Sequence, residues 1–309
     1  MVRKKGSFTP NLSVYLGKLR LANPVIVASG TFGYGQEYKD LVSLKKLGAI
    51  VTKTITLQPK SGNPPPRIAE TPQGMLNSIG LENPGLKAFI CENIPFLQKI
   101  GVPIVVSIAG EYPGEFAEIS RLLSKIEAVS ALELNLSCPN LDRKRLIAQD
   151  ARATYQVVKA VRKATKLTVI SKLSPNVTDI TVIAKAAERA GSDALSLVNT
   201  FFGMAVDLKT KRPKLGNVTG GLSGPAIRPQ ALWMLRQVFK TVKIPLIGMG
   251  GIMNSRDALE FIICGATAVA SGTVNFVNPG ASVEIIEGIE RYLKENRIRN
   301  IKKLVGALE

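Results

Sequence analysis

The chain has 309 residues, 45% of them hydrophobic and 6% aromatic, enough for a large aliphatic core. No apolar run approaches the roughly eighteen residues that cross a bilayer, which excludes a helical membrane span. Its 41 Lys and Arg outnumber 23 Asp and Glu, a net charge of +18 that either coats a Lys-rich solvated surface or attracts a polyanion. Histidine is absent, so any proton transfer falls to Cys, Lys, a carboxylate, Tyr or water. The three cysteines, Cys91, Cys138 and Cys264, make neither a disulfide framework nor a metal cluster, and no metal site is expected. The basic N-terminal stretch lacks the continuous apolar segment of a signal peptide, so a cytoplasmic location is the expectation.

In chain order, the strand candidates are "PVIVASG" (24–30), "AIVTKTIT" (49–56), "PIVVSIAG" (103–110) and "ALELNLSCP" (131–139). They continue with "LTVISKLSP" (167–175), "ALSLVNTF" (194–201), "PLIGMGGI" (245–252) and "AVASGTV" (268–274). Each is short, apolar and rich in β-branched residues, and each is followed by a longer segment with helical spacing. Helical patterns fall at 114–128, 149–165, 179–190, 228–242 and 255–264, with Asp179 and Ser255 as N-cap candidates. Eight such units predict a closed parallel (β/α)8 barrel, an α/β fold in a single domain over residues 1–309 with the barrel at about 24–295. Two connections, 57–83 and 201–227, are long for a compact barrel and read as lids or binding elements.

Polar residues gather at the ends of these strands: Ser29, Lys53, Asn135, Cys138, Lys172 and Asn199. Gly250–Gly251 and Gly272–Thr273 end the seventh and eighth strands, where barrels hold a phosphate on backbone N–H groups. Without a P-loop or a Rossmann glycine fingerprint, this arrangement predicts a phosphate-bearing cofactor across the mouth, and FMN fits. A lysine near the N1–C2=O edge of the flavin would stabilise the reduced ring, and both Lys172 and Lys53 are candidates. Cys138, where a strand runs out among amide side chains, is a candidate base. Cys91 and Cys264 lie in apolar helical patterns and are expected in the core.

The segments "NPVIVASGTFGYG", "GNPPPRIAETPQGMLNSIGLENPG", "NLSCPN", "SKLSPN", "NVTGGLSGPAIRP" and "GMGGIMNSRDALEFIICGA" resemble class 1 dihydroorotate dehydrogenases, and within them the B-type catalytic subunits. The resemblance runs from about residue 12 to about 293. It implies oxidation of dihydroorotate to orotate in pyrimidine biosynthesis, with one FMN per chain. In that family the loop cysteine, here Cys138, removes the C5 proton while the C6 hydride passes to the flavin. The substrate-binding positions that carry over are Lys53, Asn77, Ser78, Ile79, Gly80, Leu81, Asn135, Asn140, Asn199 and Thr200. The cofactor positions are Ser29, Lys53, Thr54, Ser107, Asn135, Lys172, Val198, Gly224, Gly250, Gly251, Gly272 and Thr273. Ser107 stands where the family usually has Asn, and the loop after Asn140 is basic and glycine-free where the family is glycine-rich. The resemblance also implies a partner subunit carrying FAD and a 2Fe–2S cluster that passes electrons to NAD+, in a heterotetramer built on a homodimer. It implies no nucleic-acid or membrane partner.

Two other FMN barrels share parts of this pattern. A tRNA dihydrouridine synthase would use the positive charge, but it needs a helical RNA-binding domain, and only about 15 residues follow position 294. A dihydropyrimidine dehydrogenase-like domain would keep the fold and the cysteine but would not require a substrate carboxylate.

Overall fold

The computed structural model describes residues 8–137 and 146–309. The chain enters through an antiparallel hairpin, β1 (Val14–Leu16) and β2 (Leu19–Leu21), whose Val14, Leu16 and Leu21 are buried. Its turn at Gly17 packs against Asp193, which immediately precedes a barrel strand, so the hairpin covers the N-terminal end of the barrel. The barrel strands are β3 (Val25–Val27) and β4 (Ala49–Val51). Between β4 and the next of them the chain forms β5 (Ile68–Thr71) and β6 (Gly74–Asn77). The barrel resumes with β7 (Ile104–Ile108), β8 (Val129–Asn135), β9 (Thr168–Lys172) and β10 (Ala194–Leu197). An excursion through β11 (Phe201–Gly203), β12 (Val206–Asp207), β13 (Arg212–Pro213) and β14 (Gly220–Ser223) precedes β15 (Leu246–Met249) and β16 (Ala268–Ser271).

The eight barrel strands pair in parallel in chain order, and β16 closes on β3. Both faces of each strand are buried, one against the barrel interior and one against the helical ring, which explains their near-continuous apolar character. This is the (β/α)8 barrel the sequence predicts. The helical ring includes Pro113–Leu123, Ala151–Ala164, Ile180–Ala190, Arg228–Phe239, Ser255–Cys264 and Ala281–Glu295. The first connection departs from the repeat: β3 is joined to β4 through two short 3₁₀ turns, Gln36–Tyr38 and Leu44–Lys46.

Several local expectations need correction. Asp179 does cap its helix, accepting from the Thr181 N–H at 2.8 Å. The cap before Ser255–Cys264 is Asn254, whose Oδ1 accepts from the N–H groups of Arg256 and Asp257 at 2.9 and 3.1 Å. Ser255 is instead the first helical residue, with its side chain against Gly288. Cys91 is exposed rather than core. It lies in a π-turn, Phe89–Asn93, between the short helices Gly85–Ala88 and Ile94–Gln98. Leu86, Phe89, Ile94 and Leu97 form the buried face, and the five-residue step from Phe89 to Ile94 is the π spacing, which leaves Cys91 on the outer side. Cys264 is half-buried and packs against the core.

The two long connections form a single structure. Strands β11, β14, β6 and β5 make an antiparallel sheet in that order, pairing Asn77 with Gly221 across the two insertions. Gly221 is required there, because a Cβ would stand 2.0 Å from Thr200 Oγ1. Since both insertions leave the C-terminal ends of barrel strands, this sheet forms one wall of the barrel mouth.

Candidate active site

A cavity of about 770 Å³ opens at the C-terminal face between the barrel rim and the inserted sheet, within the range of roughly 300–1,000 Å³ that holds an organic ligand. Of the expected positions, Ser29, Lys53, Thr54, Asn77, Ser78, Ile79, Gly80, Leu81, Asn135, Lys172, Val198, Asn199, Thr200, Gly224, Gly250, Gly251, Gly272 and Thr273 all line it. Ser107 does not. It is fully buried behind Thr54, and its hydroxyl meets Thr54 Oγ1 at 2.9 Å. Cys138 and Asn140 lie outside the described residues. Ser137 and Leu146, which flank that segment, both line the cavity.

The polar groups stand on the last paired residues of the strands or just past them. Asn135 and Lys172 are still in register with each other, whereas Lys53 and Thr54 lie between the end of β4 at Val51 and a further bridge from Ile55 to Ile108. Thr54 Oγ1 is a hub: it meets Ser29 Oγ at 3.1 Å and accepts from Asn135 Nδ2 at 3.3 Å. Asn199 Nδ2 donates to Ser137 Oγ at 2.8 Å, and Asn77 Nδ2 donates to the Gly221 carbonyl at 3.1 Å. These bonds orient the amides while leaving other polar capacity for a ligand, since an amide carries two donors and two lone pairs.

Lys172 comes from the end of β9. The residue is only 6% exposed, yet among the described residues its side chain makes no hydrogen bond or ion pair. An ammonium facing the cavity with no protein group there to answer its charge marks where an anionic or strongly polar ligand atom belongs.

At the opposite side lies a glycine cradle. The N–H groups of Gly250, Gly251, Gly272 and Thr273 donate to no acceptor among the described residues. Gly250 and Gly251 have φ of +123° and +78°. A Cβ on Gly251 would sit 2.7 Å from Arg228 Cβ and 2.9 Å from the Gly224 carbonyl oxygen. The loop is braced from behind: buried Asp257 pairs with Arg228 and accepts from the Met253 N–H at 2.8 Å. Free N–H groups converging without side chains suit an anionic oxygen cluster such as phosphate.

Sequence reasoning missed the residues that brace the 57–83 insertion. Arg67 donates from Nε to the Asn63 carbonyl at 2.5 Å, from Nη2 to the Ser61 carbonyl at 3.0 Å and from Nη1 to Glu82 at 2.8 Å. Glu82 also lies 3.9 Å from Lys53 Nζ, and its hydrogen bond from Arg67, with that guanidinium's charge, holds its carboxyl below the usual range. Asn63 in turn donates to Ser78 Oγ at 3.0 Å. Asn176 was also missed; its amide binds the Thr200 carbonyl and the Phe202 N–H at 3.0 and 2.9 Å, tying β11 to the rim. The only sequence signal for either group was membership in the "NPPPR" and "SKLSPN" segments.

Fold and site together define a (β/α)8-barrel enzyme whose mouth is shaped for a flat, amide-edged ligand carrying an anionic tail. Comparison with known proteins sharpens this. Residues 11–293 match the family described as dihydroorotate dehydrogenase. The chain is 54% identical over 301 residues to the "dihydroorotate dehydrogenase B (NAD(+)), catalytic subunit" of Pelobacter propionicus, covering 97% of this chain and 99% of that one. The same identity and coverage hold for the protein of that name from Trichlorobacter lovleyi. Its counterpart in Geobacter sulfurreducens is 53% identical over 301 residues, again 97% of this chain and 99% of the relative. The chain belongs to the dihydroorotate dehydrogenase family. Among the described residues, no helix is long and apolar enough to cross a membrane.

Proposed function

We propose that the chain oxidises dihydroorotate to orotate using bound FMN, with Cys138 as the base. The observation that carries the cofactor assignment is Lys172, whose side chain has no partner among the described residues, facing the same cavity as backbone N–H groups that are likewise unpaired among them. The residues present therefore fit the group. Gly250, Gly251, Gly272 and Thr273 would hold the phosphate, and Gly224 and Val198 would line its path. Ser29, Thr54, Asn135 and Lys172 would meet the polar edge of the ring, with Ser107 acting through Thr54. Bound FMN would supply the acceptor for the C6 hydride of dihydroorotate.

The chain's own residues then bind, orient and deprotonate the substrate. Asn135, Asn140 and Asn199 offer the donor–acceptor pairs that match the amide edges of the pyrimidine ring. Lys53, Asn77, the segment Ser78–Leu81 and Thr200 line the same cavity and would surround the carboxylate, with Lys53 as the charged partner. Cys138 takes the C5 proton. A thiol with an ordinary value near ~8.5 is partly thiolate at neutral pH and returns the proton to water readily. The C5–H pair of electrons becomes the new C5=C6 bond as the hydride leaves C6, so the substrate loses two electrons and two hydrogens in all.

The names of the relatives, each a "catalytic subunit" of an NAD(+) enzyme, support a separate subunit that relays electrons to NAD+. We assign that relay FAD and a 2Fe–2S cluster, two copies of each chain in the assembly, and a cytoplasmic location. The test is direct. Protein purified with FMN should show a flavin band near ~450 nm that bleaches anaerobically with dihydroorotate and not with dihydrouracil, which lacks the carboxylate. Bleaching by both compounds alike would refute the substrate assignment.

A further inference from the structure

Glu133 is a carboxylate that the mechanism above does not use. It lies within β8, two residues before Asn135, and is 1% exposed. Its Oε2 accepts a hydrogen bond from Ser196 Oγ at 2.9 Å, while Oε1 has no hydrogen-bond partner among the described residues. The barrel ladder places Ser107 and Ile170 beside it, and the Ser107 hydroxyl is engaged with Thr54 instead.

Ser196 is on β10, two strands away, so the Glu133 side chain reaches across β9 to meet it. The β9 residue in register with Ser196 is Lys172, which is also in register with Asn135. Glu133 therefore runs one layer below the lysine assigned to the flavin edge. Both residues are buried, and among the described residues both side chains lack full partners and form no ion pair with each other. A half-satisfied carboxylate is a poor core residue, since an apolar side chain of similar volume would avoid the desolvation cost. Its position one barrel layer below the Lys172 ammonium gives it an electrostatic use.

We infer that Glu133 is a positioning residue that moderates Lys172, so that the buried carboxylate, reached through its bond to Ser196, sets how strongly the site favours negative charge on the flavin. The inference rests on the FMN reading above. Removing the carboxylate leaves the Lys172 field unopposed and favours the anionic forms of the ring. Removing the Ser196 hydroxyl frees the carboxylate to pair with Lys172, draws the ammonium down and has the opposite effect. A merely structural role would not produce shifts of opposite sign.

The test uses the full chain loaded with FMN and sulfite as the probe, because the flavin–sulfite adduct is anionic and its formation bleaches the flavin band. Glu133→Gln should bind sulfite about tenfold more tightly than the unaltered protein, the order a unit charge one barrel layer away produces at an effective dielectric near ~20. The flavin midpoint potential should rise in step, by about 30 mV per tenfold for a two-electron couple. Ser196→Ala should bind sulfite several-fold more weakly. If Glu133→Gln does not fold, Ser196→Ala decides alone, and an unchanged sulfite affinity there overturns the inference. Unchanged sulfite affinity and potential in a folded, yellow Glu133→Gln protein overturn it while leaving the FMN reading intact. Failure of the unaltered chain to take up FMN overturns both.

Discussion

Gly272 and Gly250 both line the proposed phosphate cradle, and the structure separates what their side-chain-free backbones are for. A Cβ on Gly272 would meet only the Ala28 Cβ, at 3.8 Å, and its backbone is outside the left-handed region. Gly272→Ala should therefore fold normally, within about 1 kcal/mol of the unaltered protein, because nothing native is displaced. The new methyl would still project into the cavity where the phosphate is to lie. A hydrogen bond to a charged group contributes about 1.5–3 kcal/mol, so pushing the phosphate off one N–H should weaken FMN roughly 10- to 150-fold. Gly250→Ala differs: its φ is +123° and the Cβ would stand 2.8 Å from Ala231 Cβ, so strain and overpacking should cost about 1–3 kcal/mol of stability. The assay is a fluorescence titration of flavin-free protein with FMN, beside a thermal melt. Riboflavin, which lacks the phosphate, is the control and should bind Gly272→Ala nearly as it binds the unaltered chain. FMN binding to Gly272→Ala at full strength, or an equal loss of FMN and riboflavin, would refute the cradle assignment.

Further expectations concern residues around the site and one far from it. Lys172→Met keeps the stem volume and removes the ammonium, so flavin reduction by dihydroorotate should slow by at least tenfold in stopped flow; unchanged FMN affinity and rate would remove its charge from the account. Arg67→Ala severs three bonds that hold the 57–83 insertion, two of them partly exposed, and should raise KM for dihydroorotate about tenfold with kcat less affected; a change confined to kcat would contradict a bracing role. Exposed Cys91 should react with a thiol reagent in the native protein, and Cys91→Ser should shift stability by less than about 0.5 kcal/mol in a melt.

The barrel was legible because its strands are buried on both faces and so read as short apolar runs, and because the cofactor-edge residues follow those runs directly. In "AIVTKTIT" the continuous strand ends at Val51, although Ile55 rejoins the sheet through a single parallel bridge to Ile108, so the run is interrupted at Lys53 and Thr54 rather than regular throughout. The inserted sheet was not legible. Gly220 and Gly221 have no strand preference of their own; Gly221 pairs with Asn77 of β6 and Gly220 packs against the Asn77 carbonyl because glycine allows the close approach. Cys91 misled because its neighbours are apolar, while the π-turn spacing that turns it outward is visible only once Phe89 and Ile94 are both known to be buried. Glu133 and Lys172 show the remaining limit: both fall inside strand candidates, and Lys172 at a strand end, but their unmet hydrogen-bonding capacity among the described residues is a property of the assembled interior.

In the proposed chemistry Cys138 removes a proton from a small acid whose hydride goes to a flavin held by the strand ends. Anaerobic mixing of the FMN-loaded Cys138→Ala protein with dihydroorotate, followed at the flavin band, tests it most directly. The expected result is a yellow protein that binds the ligand and stays oxidised at neutral pH, with Cys138→Ser bleaching slowly and faster at high pH. Full-rate bleaching of Cys138→Ala would contradict it.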